Sequence, residues 1–352
     1  MKTELFDYAL PEECIAVRPP AARDGARMLV LDGPRLEHWK ITDLPELLPE
    51  RALVVVNATR VRRARLFGER QPGGGRVELL FLEPVPHVPV RQGVERWRAL
   101  GRANRPLTPG TQIDAAGLAV EVVARTADGV LELEVRAPST VEAVLEERGH
   151  VPLPPYLGRR DEPEDVERYQ TVYAERTGSV AAPTAGLHLS QRLLERLASR
   201  GIELGRLELR VGLGTFRPVS ALDLDDHDMH AEAFEIPEAL AQAVARARAR
   251  EAPVIAIGTT VVRALESAAD PDAPGCVRAF SGETRLLIQP GYRFRVVDAL
   301  LTNFHQPRST LLALVAAFAG YEPTMRAYEE ALRVGYRFLS YGDAMWLPRR
   351  QA

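Results

Sequence analysis

The sequence predicts an α/β protein, in which a large α/β domain with a mostly parallel sheet carries an inserted small β-barrel domain. Residues 52–57 and 253–257 are uninterrupted apolar runs, typical of strands buried on both faces of a parallel sheet. Helical patterns alternate with such runs after residue 138. Residues 61–137 instead contain short alternating segments separated by glycine-rich turns, which favours a barrel.

The composition supports this organisation. The chain has 352 residues, of which 46% are apolar and 26% charged, as expected for a globular protein with two cores. We expect a discontinuous α/β catalytic domain of residues 1–60 and 138–352, interrupted by the barrel domain of residues 61–137. No apolar run reaches membrane-spanning length and the first residues do not resemble a signal peptide, so we expect a cytoplasmic protein that does not contact a membrane.

The sequence lacks the motifs of zinc-binding proteins and of P-loop nucleotide-binding proteins. Its two cysteines, Cys14 and Cys276, form neither a CxxC motif nor a cluster with histidine, and we therefore expect no metal site. Lys2 and Lys40 are the only lysines, and neither belongs to a phosphate-binding GxxxxGK[ST] motif. The net charge of -3 provides no general attraction for nucleic acid, so any contact with RNA must be local.

The first part of the chain predicts an extended arm, a strand at 28–31, a short helix at 43–48 and the buried strand at 52–57. Polar residues Asn57 and Arg60 follow this last strand, where α/β folds commonly bind ligands. The barrel strands are expected at 76–82, 95–100, 118–124 and 130–135, with a hairpin turn at Asp128 and Gly129.

Charge is uneven within the barrel segment. Residues 60–105 contain eleven arginines and four acidic residues, a net charge of +7, whereas residues 106–150 contain three arginines and eight acidic residues, a net charge of -5. The basic part is either a solvated exterior or a face that binds a polyanion.

Residues 177–189 combine small residues with the polar side chains Ser179, Thr184 and His188. This composition lets a ligand approach the backbone closely. A helix is predicted at 189–200, with Ser190 as its N-cap. Because His188 precedes the positive end of this helix, its neutral, proton-accepting form is favoured. The alternative is a tightly packed turn with a structural histidine.

The rest of the chain predicts helices at 140–148, 164–174, 309–318 and 325–334, with one more beginning near Thr259. Strands are expected at 206–211, 285–288 and 296–301, besides the run at 253–257. Gly212 and Gly214, followed by Thr215, make only a partial dinucleotide-binding fingerprint.

Three further segments carry polar residues at predicted strand ends or turns. Gly258, Thr259 and Thr260 at the start of a helix would attract an anion, unless a threonine simply caps the helix; Arg263 either reinforces that site or is solvated. Asn303 and His305 could recognise the edge of a base or a ribose. Asp343 lies beside a glycine turn. Taken together, these strand ends predict a polar pocket for a small molecule. His227 and His230 lie in a segment without helical pattern, so metal binding there is the minor alternative.

Ten segments, spread over almost the whole chain, match the pattern of one known family: 6–8, 10–11, 56–61, 178–188, 211–219, 227–232, 258–266, 290–292, 301–318 and 336–345. In these segments the chain resembles the S-adenosylmethionine:tRNA ribosyltransferase-isomerases of queuosine biosynthesis. It departs from the family pattern at Ala58, Leu189 and Gln306; Ala58 stands where an acidic residue is usual.

This resemblance implies transfer and isomerisation of the ribosyl group of S-adenosylmethionine onto 7-aminomethyl-7-deazaguanine in a tRNA anticodon. The product is epoxyqueuosine, and adenine and methionine leave. It also implies an α/β domain with an inserted barrel. S-adenosylmethionine would be a co-substrate, with no permanently bound cofactor, and the enzyme is expected to be a monomer. The alternatives are an S-adenosylmethionine-dependent RNA methyltransferase and a non-catalytic RNA-binding protein.

Such a reaction needs a base that removes a proton beside the sulfonium and an acid that assists the departure of adenine. We assign the base to His188 and assistance to His305 or Asp343. S-adenosylmethionine is expected to contact Ser179, Thr184, Gly212, Gly214, Thr215, Gly258, Thr259, Thr260 and Arg263, the last four binding the methionine carboxylate. The tRNA or its modified base is expected to contact Asn57, Arg60, Arg62, Arg63, Arg65 and Asn303.

Overall fold

A computed structural model describes residues 1–86, 88, 93–127, 129–212 and 219–348. The first strands are β1 (Arg27–Asp32), β2 (Arg35–Lys40), β3 (Leu53–Asn57), β4 (Thr59–Val61), β5 (Arg65–Gln71), β6 (Arg76–Pro84), β7 (Val94–Ala103), β8 (Gln112–Ala115), β9 (Leu118–Arg125) and β10 (Leu131–Arg136). They are followed by β11 (Arg176–Ser179), β12 (Glu203–Leu209), β13 (Glu232–Ile236), β14 (Val254–Ile257), β15 (Phe280–Thr284), β16 (Ala299–Asn303) and β17 (Ala344–Pro348).

The α-helices are α1 (Leu44–Leu47), α2 (Val141–Arg148), α3 (Asp165–Arg168), α4 (Gln191–Ser199), α5 (Glu238–Ala249), α6 (Thr259–Ser267), α7 (Thr310–Ala319) and α8 (Tyr321–Arg333). Within the described ranges, none of the helices is both long and apolar enough to cross a membrane.

Nine strands form one mixed sheet in the order β15-β13-β12-β3-β14-β16-β17-β1-β2. The strands β12, β3, β14 and β16 run parallel to one another, and β17 also pairs in parallel with β1. The remaining neighbours pair antiparallel, so the parallel arrangement predicted from the sequence holds at the centre and gives way to antiparallel pairing towards the edges. The predicted fold class, α/β with an inserted barrel, is confirmed.

Alternate residues of the central strands enter different cores. Leu53 and Val55 of β3 belong to the larger core, which is covered by α5, α6, α7 and α8. Val54 and Val56 of the same strand belong to a second core on the other face, together with Leu193 and Leu197 of α4. Burial on both faces explains why this strand is an uninterrupted apolar run.

The barrel is closed by six antiparallel strands in the order β10-β7-β6-β5-β8-β9. Its interior is filled by alternate side chains such as Leu79, Phe81 and Leu133, and α2 packs on it through Val141 and Leu145. All six strands lie between residues 65 and 136. They fall inside the predicted insertion of residues 61–137, whose exact boundaries stay a prediction.

Two predicted elements are wrong. Residues 285–288 are not a strand: the backbone turns after Thr284, whose Oγ1 accepts a hydrogen bond from the Leu286 amide at 3.1 Å, and the strand is instead β15. The helix expected at 164–174 is only α3, because Gln170 binds both backbone groups of Val61 with its side chain at 2.8 and 3.0 Å. Tertiary contacts override the local pattern in both places. Asp128 of the predicted hairpin lies outside the described residues, although β9 and β10 do pair antiparallel.

Candidate active site

A polar cleft opens at the carboxyl ends of β14 and β16, as expected for an open α/β sheet. It measures about 830 Å³, counting the part open to solvent. The cleft is lined by Tyr156, Ala181, Ala182, Pro183, Thr184, Ala185, Val211, Gly258, Thr259, Thr260, Thr302, Asn303, Phe304, His305, Gln306, Ser309, Thr310, Leu311, Leu339 and Ser340. None of these described residues is charged, so the cleft provides dipoles and hydroxyl groups instead of ions.

Residues 177–189 form one wall of the cleft, as predicted. Thr184 begins a 3-10 helix that ends at His188, and Ser190 then caps α4 by accepting a hydrogen bond from the Leu193 amide at 3.1 Å. The interior of this wall is tightly packed. A Cβ atom at Gly186 would collide with the Tyr173 hydroxyl and lie 2.9 Å from Cγ2 of Thr171. Glycine is therefore required at this position for steric reasons.

The N-termini of two helices reach the cleft. Gly258 precedes α6 with a φ of 96° and provides no side-chain cap, so the alternative in which a threonine caps this helix is wrong. Ser309 caps α7 by accepting a hydrogen bond from the Leu312 amide at 3.2 Å. The free N–H groups in the first turns, with the helix dipoles, favour negative charge in this part of the cleft.

His188 is buried behind the cleft, and Asn303 lies between His188 and the cleft. Nδ2 of Asn303 donates to the Leu339 carbonyl at 3.2 Å and lies 3.1 Å from Nε2 of His188. Nε2 is therefore the acceptor, and we place the ring proton on Nδ1. Burial lowers the pKa of His188 to about 4, opposed by the charge of Asp343. His188 is thus neutral at pH 7, but Asn303 and not His188 lines the cleft.

His305 lines the cleft directly. Its Nε2 lies 2.9 Å from Oγ1 of Thr302, and its backbone amide donates to the Tyr328 hydroxyl at 2.9 Å. Burial lowers the pKa of His305 to about 3, so this ring is also neutral at pH 7. A neutral imidazole in a dry setting is a competent proton acceptor.

Two of the predicted charged site residues are used elsewhere in the fold. Asp343 is buried and accepts hydrogen bonds from the backbone amides of Arg27 and Arg337, both at 2.8 Å, besides an ion pair with Arg27. Arg263 is buried against Glu232, with which its Nη1 forms an ion pair, and its Nε donates to the Leu286 carbonyl at 3.0 Å. Neither side chain lines the cleft.

Ser179 and Asn57 hold strands together instead of facing the cleft. The Ser179 hydroxyl lies 2.7 Å from that of Thr59 and accepts a hydrogen bond from the Val211 amide at 2.9 Å. Asn57 exchanges hydrogen bonds with both backbone groups of Leu209, at 2.9 and 3.0 Å. Gly212 follows a residue of the cleft wall but does not line the cleft, and Gly214 and Thr215 lie outside the described residues.

The arginines predicted to bind tRNA differ in their availability. Arg62 is buried, pairs with Glu142 through Nε at 2.8 Å and stacks on Trp97. Arg63 donates to the carbonyls of Gly149 and Glu146 at 2.7 and 2.8 Å. Arg65 pairs with Glu78, and of these four arginines Arg60 alone is exposed. Arg62 and Arg63 therefore connect the barrel to its surroundings.

His227 and His230 lie between β12 and β13, and within the described ranges no group of three metal-binding side chains occurs.

Tyr156, Ser309 and Thr310 line the cleft, although the sequence did not identify them as site residues. Tyr156 is half-buried at the cleft wall, and its hydroxyl lies 2.5 Å from Oγ of Ser340. It follows the proline-rich segment of residues 152–155, in which the prolines fix the direction of the chain. The sequence predicted a helix from residue 309 but gave Ser309 and Thr310 no role in the site. Where a helix begins directly after a strand end, a serine or threonine at its start can cap the helix and also line the ligand site.

Comparison with known proteins gives a consistent result. Residues 3–347 match the model of the family described as "Queuosine biosynthesis protein". Proteins named S-adenosylmethionine:tRNA ribosyltransferase-isomerase are 57% identical in Sorangium cellulosum, with 98% of each chain covered, and 50% identical in Gloeobacter violaceus, with 97% of this chain and 95% of the relative covered. The crystal structure of S-adenosylmethionine tRNA ribosyltransferase from Thermotoga maritima is 32% identical, with a TM-score of 0.55 and 97% and 99% of the two chains covered.

Proposed function

The chain belongs to the queuosine biosynthesis protein family, and on this basis we propose how its cleft performs the reaction named for its relatives. It is an enzyme that modifies tRNA, a ribosyltransferase-isomerase with S-adenosylmethionine as the ribosyl donor. Our finer proposal is that the acceptor is 7-aminomethyl-7-deazaguanine in the anticodon, that epoxyqueuosine forms, and that adenine and methionine are released. We further propose that the enzyme acts in the cytoplasm as a monomer without a permanently bound cofactor.

The uncharged lining of the cleft is the observation that carries the assignment of the donor site. S-adenosylmethionine brings a sulfonium cation, which an arginine or lysine in the lining would repel. Its carboxylate needs donors, and the N-termini of α6 and α7 provide them without a compensating cation. We propose that Gly258, Thr259 and Thr260 bind this carboxylate.

Proton transfer is proposed for the two buried histidines. His305 lines the cleft and is neutral, so the geometry favours it as the group that contacts the donor. His188 as the base remains a prediction, and it requires Asn303 to move, since the amide of Asn303 occupies Nε2. Asp343 is the least favoured of the three, because its carboxylate already binds two backbone amides and Arg27.

The test is product analysis with S-adenosylmethionine and tRNA that carries the aminomethyl-deazaguanine base. Release of adenine and methionine in equal amounts supports the proposal. S-adenosylhomocysteine would indicate methyl transfer, and the absence of all three products would indicate binding alone. His188→Ala and His305→Ala are then compared. The base is the histidine whose replacement abolishes turnover while the Kd for S-adenosylmethionine stays near that of the wild type; near-normal turnover removes that residue from consideration.

A further inference from the structure

A second groove lies between the outer surface of the barrel and the segment that leads into the cleft. It has a volume of about 910 Å³, counting the part open to solvent. The groove is lined by Arg65, Glu78, Leu80, Leu100, Gly101, Arg102, Pro152, Leu153, Pro155 and Val180. Leu80 and Leu100 are opposed on β6 and β7 and face outward, because their neighbours Leu79 and Ala99 point into the barrel core. The groove therefore has an apolar floor made by two strands and a proline-rich segment.

Basic charge lies along this floor. Arg65 forms an ion pair with Glu78, in which Nε lies 3.0 Å from Oε1, and its Nη2 donates to the Leu153 carbonyl at 3.1 Å. Arg102 is opposed to Glu78 in the strand pairing, yet it is exposed and forms no ion pair or hydrogen bond within the part of the chain that the structure describes. Two guanidinium groups thus face one carboxylate, which leaves Arg102 available to a ligand.

The groove and the cleft adjoin each other along two segments of the chain. Pro155 lines the groove and the next residue, Tyr156, lines the cleft. Val180 lines the groove and the next residue, Ala181, lines the cleft. Two residues of extended chain span about 7 Å, which is similar to the spacing of successive nucleotides in an extended strand, so a polymer with its reacting unit in the cleft can reach the groove with the next unit.

We propose that this groove binds a nucleotide next to the one that is modified, with its base against Leu80, Leu100 and Pro155 and its phosphate on Arg102. Single-stranded RNA is bound in this way, by apolar or aromatic surfaces for the bases and by arginine for the backbone. The proposal rests on the proposed function, which supplies tRNA as the substrate. It differs from the expectation that Arg62 and Arg63 bind tRNA, since the fold already uses both.

Arg102→Ala tests the proposal, because the side chain is exposed and its loss should not affect folding. The matched control is Arg76→Ala: Arg76 is also an exposed barrel arginine without a described partner, but it does not line the groove. Binding of tRNA is measured by fluorescence anisotropy at several salt concentrations, and S-adenosylmethionine binding by calorimetry. We expect Arg102→Ala to weaken tRNA binding about tenfold and to reduce the salt slope by about 1, with Arg102→Lys recovering most of the affinity.

The outcomes separate the two proposals. Release of adenine by the wild type establishes the reaction independently of the groove. If the wild type releases adenine while Arg102→Ala and Arg76→Ala bind tRNA equally, the groove proposal is overturned and the proposed function stands. A loss of S-adenosylmethionine affinity in Arg102→Ala equal to its loss of tRNA affinity also overturns it, since a nucleotide site in the groove would not affect the isolated donor. If the wild type binds tRNA through Arg102 but releases no adenine, only the proposed reaction is lost.

Discussion

Removing Glu232 should destabilise the protein strongly, because it would leave a buried guanidinium without its counter-charge. The side chains of Arg263 and Glu232 are each only 7% exposed. After Glu232→Ala, the Leu286 carbonyl at 3.0 Å would be the one hydrogen-bond partner that Arg263 keeps among the described residues, where its Nη2 already has none. Breaking a buried pair in this way costs about 3–5 kcal/mol.

The same strand provides the control. Glu235 of β13 pairs with Arg176 at 2.8 Å, but these side chains are 38% and 67% exposed, so Glu235→Ala should cost about 0–1 kcal/mol. Both variants are compared in urea by circular dichroism, using the first transition because a chain of this size need not unfold in one step. Equal losses in the two variants would refute the reasoning. S-adenosylmethionine binding by folded Glu232→Ala should be unchanged, whereas a changed affinity would restore Arg263 as a candidate ligand-binding residue.

Two further predictions concern the packing around Gly186 and the pH dependence of stability. Gly186→Ala should lower the free energy of unfolding by about 1–3 kcal/mol, because its Cβ would displace Tyr173 and Thr171. Gly212→Ala, where no described atom lies within 4 Å, should be nearly neutral in the same denaturation assay; equal effects would contradict the steric argument. The pKa values of His188 and His305 are lowered to about 4 and 3 in the folded chain. As the pH falls below about 6.5, both histidines therefore take up protons in the unfolded chain while they stay neutral in the folded chain. Stability should therefore fall in that window, by about 2 kcal/mol for each histidine at pH 5, and His305→Asn should reduce this loss. A wild-type pH dependence in that variant would show that His305 does not contribute.

The strands and helices that were correctly predicted are marked by patterns within their own residues. The strand β3 is recognisable because both its faces are buried, and α4 because Ser190 and a periodic set of leucines mark its start and its inner face. The edge strand β2 was not predicted. Its side chains are mostly exposed, so its sequence lacks an apolar pattern, and it exists because β1 offers it a backbone partner.

The site was only partly predictable for a related reason. Strand ends and glycine turns identified Thr184, Gly258, Asn303 and His305, all of which line the cleft. The sequence cannot show whether an arginine or a carboxylate is already paired within the fold. Arg62, Arg263 and Asp343 have the residue types that a site needs, yet each has its partners on segments distant in the chain.

The position of β17 has a consequence for the order in which the protein can be assembled. Met28 of β1 is paired with Ala344 of β17, which lies 316 residues further along the chain. The hairpin of β1 and β2 reaches the rest of the sheet only through β17. During synthesis on the ribosome, the edge of β1 that pairs with β17 therefore stays without this partner until the residues of β17 have emerged. Contacts of such long range fold slowly, whereas the barrel, whose six strands all lie within residues 65–136, can complete its pairing much earlier.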